Sequence, residues 1–178
     1  TVKVWTKADG AEWADMDNAT ATLSGHTGSV NSVAILNENT IVSGSSDSTI
    51  KVWTKAASAN WTDMSSATAT LIGHTHHVYS LAILDENTIV SGSADHTVKV
   101  WAKPEGSEWA DMGSSTATLL SEYIMTVFSL AVLDKNTIVA GKRDVNIWTK
   151  ADNATWSDMS SATATLSGHA SYVNSVIV

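Results

Sequence analysis

The sequence predicts an all-β fold built from copies of one four-stranded antiparallel unit, and three observations predict it. Landmark residues return every 47 or 48 positions. Short apolar and β-branched runs alternate with turns rich in Asn, Asp and Ser. Charged residues make up only 16% of the chain while Ser and Thr make up roughly a quarter, a balance that suits strands and turns better than helices.

The tryptophans carry the period. Trp5, Trp53, Trp101 and Trp148 form one series, and Trp13, Trp61, Trp109 and Trp156 form a second with the same spacing, which accounts for all eight. Thr-Ala-Thr-Leu recurs from Thr20, Thr68, Thr116 and Thr163, and Gly-His recurs at His26, His74 and His169. In the third copy Ser121-Glu122 stands in place of Gly-His.

Within one copy, four strands follow in order. Val30 to Leu36 is an apolar run ended by the turn-forming Asn37-Glu38-Asn39. Thr40 to Ser45 follows, then a turn through Ser46-Asp47-Ser48, then the β-branched run Thr49 to Thr54. A connection to Ser66 carries the second tryptophan, and Thr68 to Ile72 is the last strand. The first two strands lack a polar-apolar alternation, so both their faces are expected to be buried. Sheets covered on both sides by their own copies fit radial stacking, the packing logic of a β-propeller.

The chain is read as one propeller segment, a partial ring of three complete blades plus two incomplete ones. Residues 1–24 supply the third and fourth strands of an incomplete blade. Residues 25–72 and 73–120 are full blades, 121–167 is a degenerate blade, and 168–178 is the first strand of the next. Blade faces left bare at the two ends invite self-association.

Composition narrows the functional classes. With 18 acidic against 10 basic residues and a net charge of -8, the chain lacks the clustered positive field that a phosphate backbone requires, so nucleic acid is not an expected partner. The absence of Cys excludes a disulfide framework, a thiolate metal site and a cysteine nucleophile. No apolar run is long enough to span a membrane. Asn18, Asn60 and Asn153 are formal glycosylation acceptors, at a number that chance supplies, and both cytoplasmic and extracellular placement stay open.

A period in the forties, Gly-His before the first strand, an Asp in the turn before the third and a Trp ending that third strand together resemble the WD-repeat β-propeller family. The residue after Trp is Thr or Ala here instead of the Asp that names the family, and the connection after the third strand is several residues longer. The resemblance implies a hydrogen-bonded set inside each blade: His26, Ser45, Asp47 and Trp53 in one, His74, Ser93, Asp95 and Trp101 in the next. The donors and acceptors can close such a chain, since indole only donates, carboxylate only accepts, and imidazole and hydroxyl do both. Because the set repeats, it is structural and not a hydrolytic triad, which would occur once beside an oxyanion hole. No reaction is assigned and no cofactor is expected.

Function is sought where the copies differ. The third copy carries Glu122 for His, one extra residue in Tyr123-Ile124-Met125-Thr126, Lys142-Arg143 in place of the second-strand Ser and its neighbour, and two fewer residues before Trp148. The resemblance places both segments on the face most used for partners. Tyr123, Ile124 and Met125 beside Lys142 and Arg143 then form a candidate partner-binding patch, apolar groups next to an Arg; alternatively these side chains fill the space the lost polar set vacates. In the second copy His76, His77 and His96 form a weak metal candidate. The outer tryptophans either cover the blade edges with the nearby Met or stack on a glycan. The expected function is a rigid platform for protein partners; a structural module of a larger assembly of further copies of itself, or a glycan-binding propeller, are the alternatives.

Overall fold

The computed structural model describes residues 1–7, 10–12, 16–122 and 124–178. Trp13 and Tyr123 lie outside the described residues. Among those described the chain is all β, with fourteen strands and no helix. β1 (Val2–Val4) pairs with β2 (Ala21–Leu23) in a two-stranded sheet. Three four-stranded antiparallel sheets follow. The first holds β3 (Val30–Asn37), β4 (Thr40–Ser45), β5 (Thr49–Thr54) and β6 (Ala69–Ile72); the second holds β7 (Val78–Asp85), β8 (Thr88–Ser93), β9 (Val98–Ala102) and β10 (Ala117–Leu119). The third holds β11 (Ser129–Asp134), β12 (Thr137–Gly141), β13 (Val145–Thr149) and β14 (Ala164–Leu166). In every sheet the strands lie in chain order, as hairpin connections dictate.

The core is divided into three layers, each between two successive sheets. Val2, Leu23, Ile41, Trp53 and Trp61 fill the first. Val42, Ile50, Leu81, Ile89, Trp101 and Trp109 belong to the second, and Val90, Val98, Leu130, Ile138, Trp148 and Trp156 to the third. The innermost strands β3, β7 and β11 stand side by side, tied by Leu81 N–H donating to Ser32 Oγ at 3.1 Å and Leu130 N–H donating to Ser80 Oγ at 3.0 Å. Gly44 is required at its place in β4 because a Cβ there would meet Val78 Cγ1 of the next sheet at 2.7 Å. Backbone and side chain meet directly at that layer.

Two expectations are corrected. β4 and β8 are buried along their whole length, but β3 alternates between half-buried and exposed positions. Its outward face, with Val33 and Ile35, is exposed, because the preceding β1–β2 sheet has no inner strands to cover it. Residues 168–178 run beside the third sheet without forming a strand. Val173 N–H donates to Lys142 O at 2.6 Å and Val176 N–H to Ser129 Oγ at 3.1 Å, repeating the tie of the inner strands, but among the described residues no second strand lies alongside to complete a ladder.

The long third connection also has a defined task. Thr22 N–H donates to Asp63 Oδ1 at 2.7 Å, Met64 N–H to Thr22 O at 3.0 Å, and Ser24 N–H to Met64 O at 2.7 Å. The same three contacts tie Thr70 and Ile72 to Asp111 and Met112, and Thr118 and Leu120 to Asp158 and Met159. Each connection therefore adds a short parallel bridge to the outer strand of the sheet before it.

Candidate functional site

The turn after β4 presents Asp47 to the loop before β3, and the sheet brings Trp53 of β5 up beside Ser43 of β4. Trp53 Nε1–H donates to Ser43 Oγ at 2.8 Å, Ser43 Oγ lies 2.8 Å from His26 Nε2, and His26 Nδ1–H donates to Asp47 Oδ2 at 2.8 Å. With Nδ1 donating to the carboxylate, Nε2 of a neutral ring accepts the serine proton, so donors and acceptors balance from end to end. The second blade repeats the set through Trp101, Ser91, His74 and Asp95 at 2.7–2.8 Å. The bridging hydroxyl is thus Ser43, not Ser45, and Ser91, not Ser93. Ser45 and Ser93 instead accept the N–H of Asp47 and Asp95 and shape the turn.

Electrostatics matches this wiring. Burial lowers the pKa of His26 and His74 from the ordinary 6.5, against the raising effect of their Asp partners, so both rings are held neutral. Burial alone would push the Asp47 carboxyl up, but hydrogen bonds from Thr49, His26 and the Thr27 backbone outweigh it and hold the group far below the carboxylate range. Asp95 is held down in the same way, with His74 the strongest partner. The serines are fully buried and the histidine rings nearly so, and neither set opens on a cleft with a nucleophile. These are internal fasteners.

The third blade is wired differently. Ala140 takes the place of Ser43 and Ser91, and Trp148 Nε1–H turns to the Leu120 carbonyl at 2.8 Å. Lys142 is only 2% exposed, its Nζ donating to His96 O and Ser121 Oγ at 2.9 Å each and standing 6.0 Å from the Trp148 ring. It fills the space of the missing polar set and is withdrawn from any partner, which corrects its place in the candidate patch. Burial brings its pKa down to about 8, with Asp95 acting in the other direction.

The neighbouring Arg143 goes the other way. It is exposed, and it lines two adjoining clefts of about 320 and 260 Å3 together with Met125. His169 closes the first and Tyr172 the second. Ile124 is exposed beside them. Met125 and Arg143 are therefore brought together, while Tyr123 lies outside the described residues. An aromatic series missed in the sequence leads to the same place: Tyr79 stacks on Phe128 at 5.7 Å, and Phe128 meets Tyr172 edge-on at 5.2 Å. Its signal was the residue after the first valine of each copy, Asn31, Tyr79 and Phe128, which differs where most positions repeat.

The remaining candidates separate. His76 and His77 are adjacent, their ring centroids 4.4 Å apart, but His96 joins neither, and among the described residues no three His, Asp or Glu side chains are grouped to hold a metal. The ring of His96 points inward, its Nδ1 buried without a hydrogen-bond partner among the described residues, from a backbone in the left-handed region at φ 74°. Trp61, Trp109 and Trp156 are buried between sheets, so none presents a free ring face of the kind a sugar stacks on.

Comparison with known proteins agrees with this architecture. Residues 18–54 and 65–102 match the family model described as WD domain, G-beta repeat. Two segments of the chain thus match WD40 repeats, and its sheets are arranged as in the WD40 β-propellers, the described residues forming an open arc and not a closed ring. It is similar to the WD40 beta propeller domain of Doa1 (TM-score 0.60, 23% identity), covering 83% of this chain and 43% of that one. It is also similar to the computationally designed Ika4 protein (TM-score 0.65, 26% identity), covering 92% of this chain and 88% of that one. No curated protein sequence matches significantly. WD40 propellers typically serve as protein-interaction modules and are generally non-catalytic. No helix among the described residues is long and apolar enough to cross a membrane.

Proposed function

We propose that this propeller segment is a non-catalytic platform for a protein partner, and that the partner is met by the third blade through Ile124, Met125 and Arg143. The observation that carries the reading is the contrast between neighbours. Lys142 turns inward and satisfies the vacated interior, whereas Arg143, the one arginine of the chain, stays exposed beside Met125 with no hydrogen bond or ion pair among the described residues. An arginine next to apolar side chains in a cleft has the composition of an interface hot spot. The first two blades offer no equivalent, because Ser46 and Ala94 stand where Arg143 does.

A photo-crosslinking residue placed at Ile124 tests this. The expected result is a discrete adduct that Arg143→Ala and Met125→Ala each remove, while the same probe at Thr62 in an outer connection gives none. An adduct indifferent to both substitutions removes the third blade from the reading.

A further inference from the structure

Two equivalent clefts open between successive four-stranded sheets, at the end of the strands opposite Arg143. One, of about 450 Å3, lies between the first and second blades and is lined by Leu36, Thr40, Lys103 and Trp109. The other, of about 270 Å3, lies between the second and third and is lined by the equivalent Leu84, Thr88, Lys150 and Trp156. The lysine is held alike in both: Lys103 Nζ donates to Asn87 Oδ1 and Lys150 Nζ to Asn136 Oδ1, at 2.6 Å each. The tryptophan is alike too. Trp109 and Trp156 are 6% and 8% exposed, and the indole Nε1 of each is buried with no hydrogen-bond partner among the described residues.

The charges around this common frame are opposite. The exposed Glu86, Glu105 and Glu108 line the cleft of Trp109. In the cleft of Trp156, Lys135 takes the place of Glu86 and Thr155 that of Glu108. Lys135 is exposed and makes no hydrogen bond or ion pair among the described residues. Asp85 also lines this cleft, but its Oδ1 already accepts the Asn87 N–H at 2.8 Å. The wall between these groups is apolar, made by Leu84, Val100, Ala102, Ala154 and Trp156. Two ammonium groups over an apolar wall that holds an unpaired donor favour an anionic head on an apolar body. An anion compensates all three positive groups, and a cation is repelled by them.

We propose that the cleft between the second and third blades binds a small carboxylate with an apolar body, the carboxylate at Lys135 and Lys150 and the apolar part against Leu84, Val100, Ala102 and Trp156. At about 270 Å3 the cleft falls just under the size of sites that take drug-sized molecules, so the ligand is a short acyl chain or a single ring. The site is separate from the partner surface: Lys135 lies in the turn between β11 and β12, and Arg143 in the turn at the other end of β12.

Octanoate is the probe. Proton–nitrogen correlation spectra of the isotope-labelled chain report each indole N–H separately, and Trp156→Phe and Trp109→Phe assign the two that matter. Octanoate is expected to move the Trp156 signal saturably and to leave the Trp109 signal in place. Octylamine, of equal length and opposite charge, is expected to move neither the Trp156 signal nor compete with octanoate for it. Lys135→Glu, which copies Glu86 of the preceding blade, is expected to weaken octanoate by about tenfold or more, the worth of one charge-assisted contact. Lys135→Ala is expected to act in the same direction, and unchanged positions of the other indole signals show that each variant is folded. A Trp156 signal that octanoate does not move overturns the proposal. So does a response that octylamine matches, or one that both Lys135 variants leave at full affinity.

Discussion

Ser43 and Trp53, ten residues apart, are joined by a hydrogen bond of 2.8 Å from the indole to the hydroxyl, both groups fully buried. The same hydroxyl serves His26, so it is the hinge of the set, and its loss strands an indole donor and an imidazole acceptor together. Ser43→Ala is expected to lower stability by roughly 1–3 kcal/mol, the cost of leaving buried polar groups unmatched. Ser45→Ala, which loses a single turn contact from Asp47 N–H, is expected to cost less. Chemical denaturation of the two variants checks this, and equal losses would remove Ser43 from the centre of the network.

Acid should loosen the first two blades before it protonates their aspartates. His26 and His74 have folded-state pKa values below the ordinary 6.5, so at lower pH the unfolded chain binds more protons than the folded one. Their contribution is therefore complete above about pH 6.5 and is lost as the pH falls below it; Asp47 and Asp95 add a second loss below about 3.8. The melting temperature is expected to decline through the first window, and less steeply in a His26→Gln, His74→Gln chain. A profile flat down to about pH 5 would contradict the neutral assignment of both rings.

Lys142 reverses the usual view of a lysine as a surface charge. Its pKa is lowered to about 8 from 10.5, so folding disfavours its charged form, and its effect on stability improves as the pH rises from about 8 towards 10.5. The difference in melting temperature between the unmodified chain and Lys142→Met is expected to shift in favour of the lysine across that range. A difference independent of pH would mean that the ammonium is not confined as the structure has it.

The period and the four-stranded antiparallel sheets were readable because they depend on residue type at fixed spacing. The choice between Ser43 and Ser45 was not. Residues two apart in a strand share a face, so parity could not separate them, and the relevant clue was Ala140, which stands at the Ser43 position in the one blade that has also lost its histidine. Lys142 and Arg143 are adjacent and alike in charge, and only the cavity left by the missing set decides which turns inward. The terminal segment reads as a strand, but strand character belongs to a ladder, and a ladder needs a second chain segment.

The bridges made by Asp63, Asp111 and Asp158 give the extra length of the repeat a meaning beyond packing. A propeller with ordinary turns at that position would leave one free strand edge per blade facing outward, a template for uncontrolled sheet growth. Here each blade lends its predecessor an edge guard. Solubility is thus shared between neighbours, and shortening one connection would endanger the blade before it more than the blade that was cut.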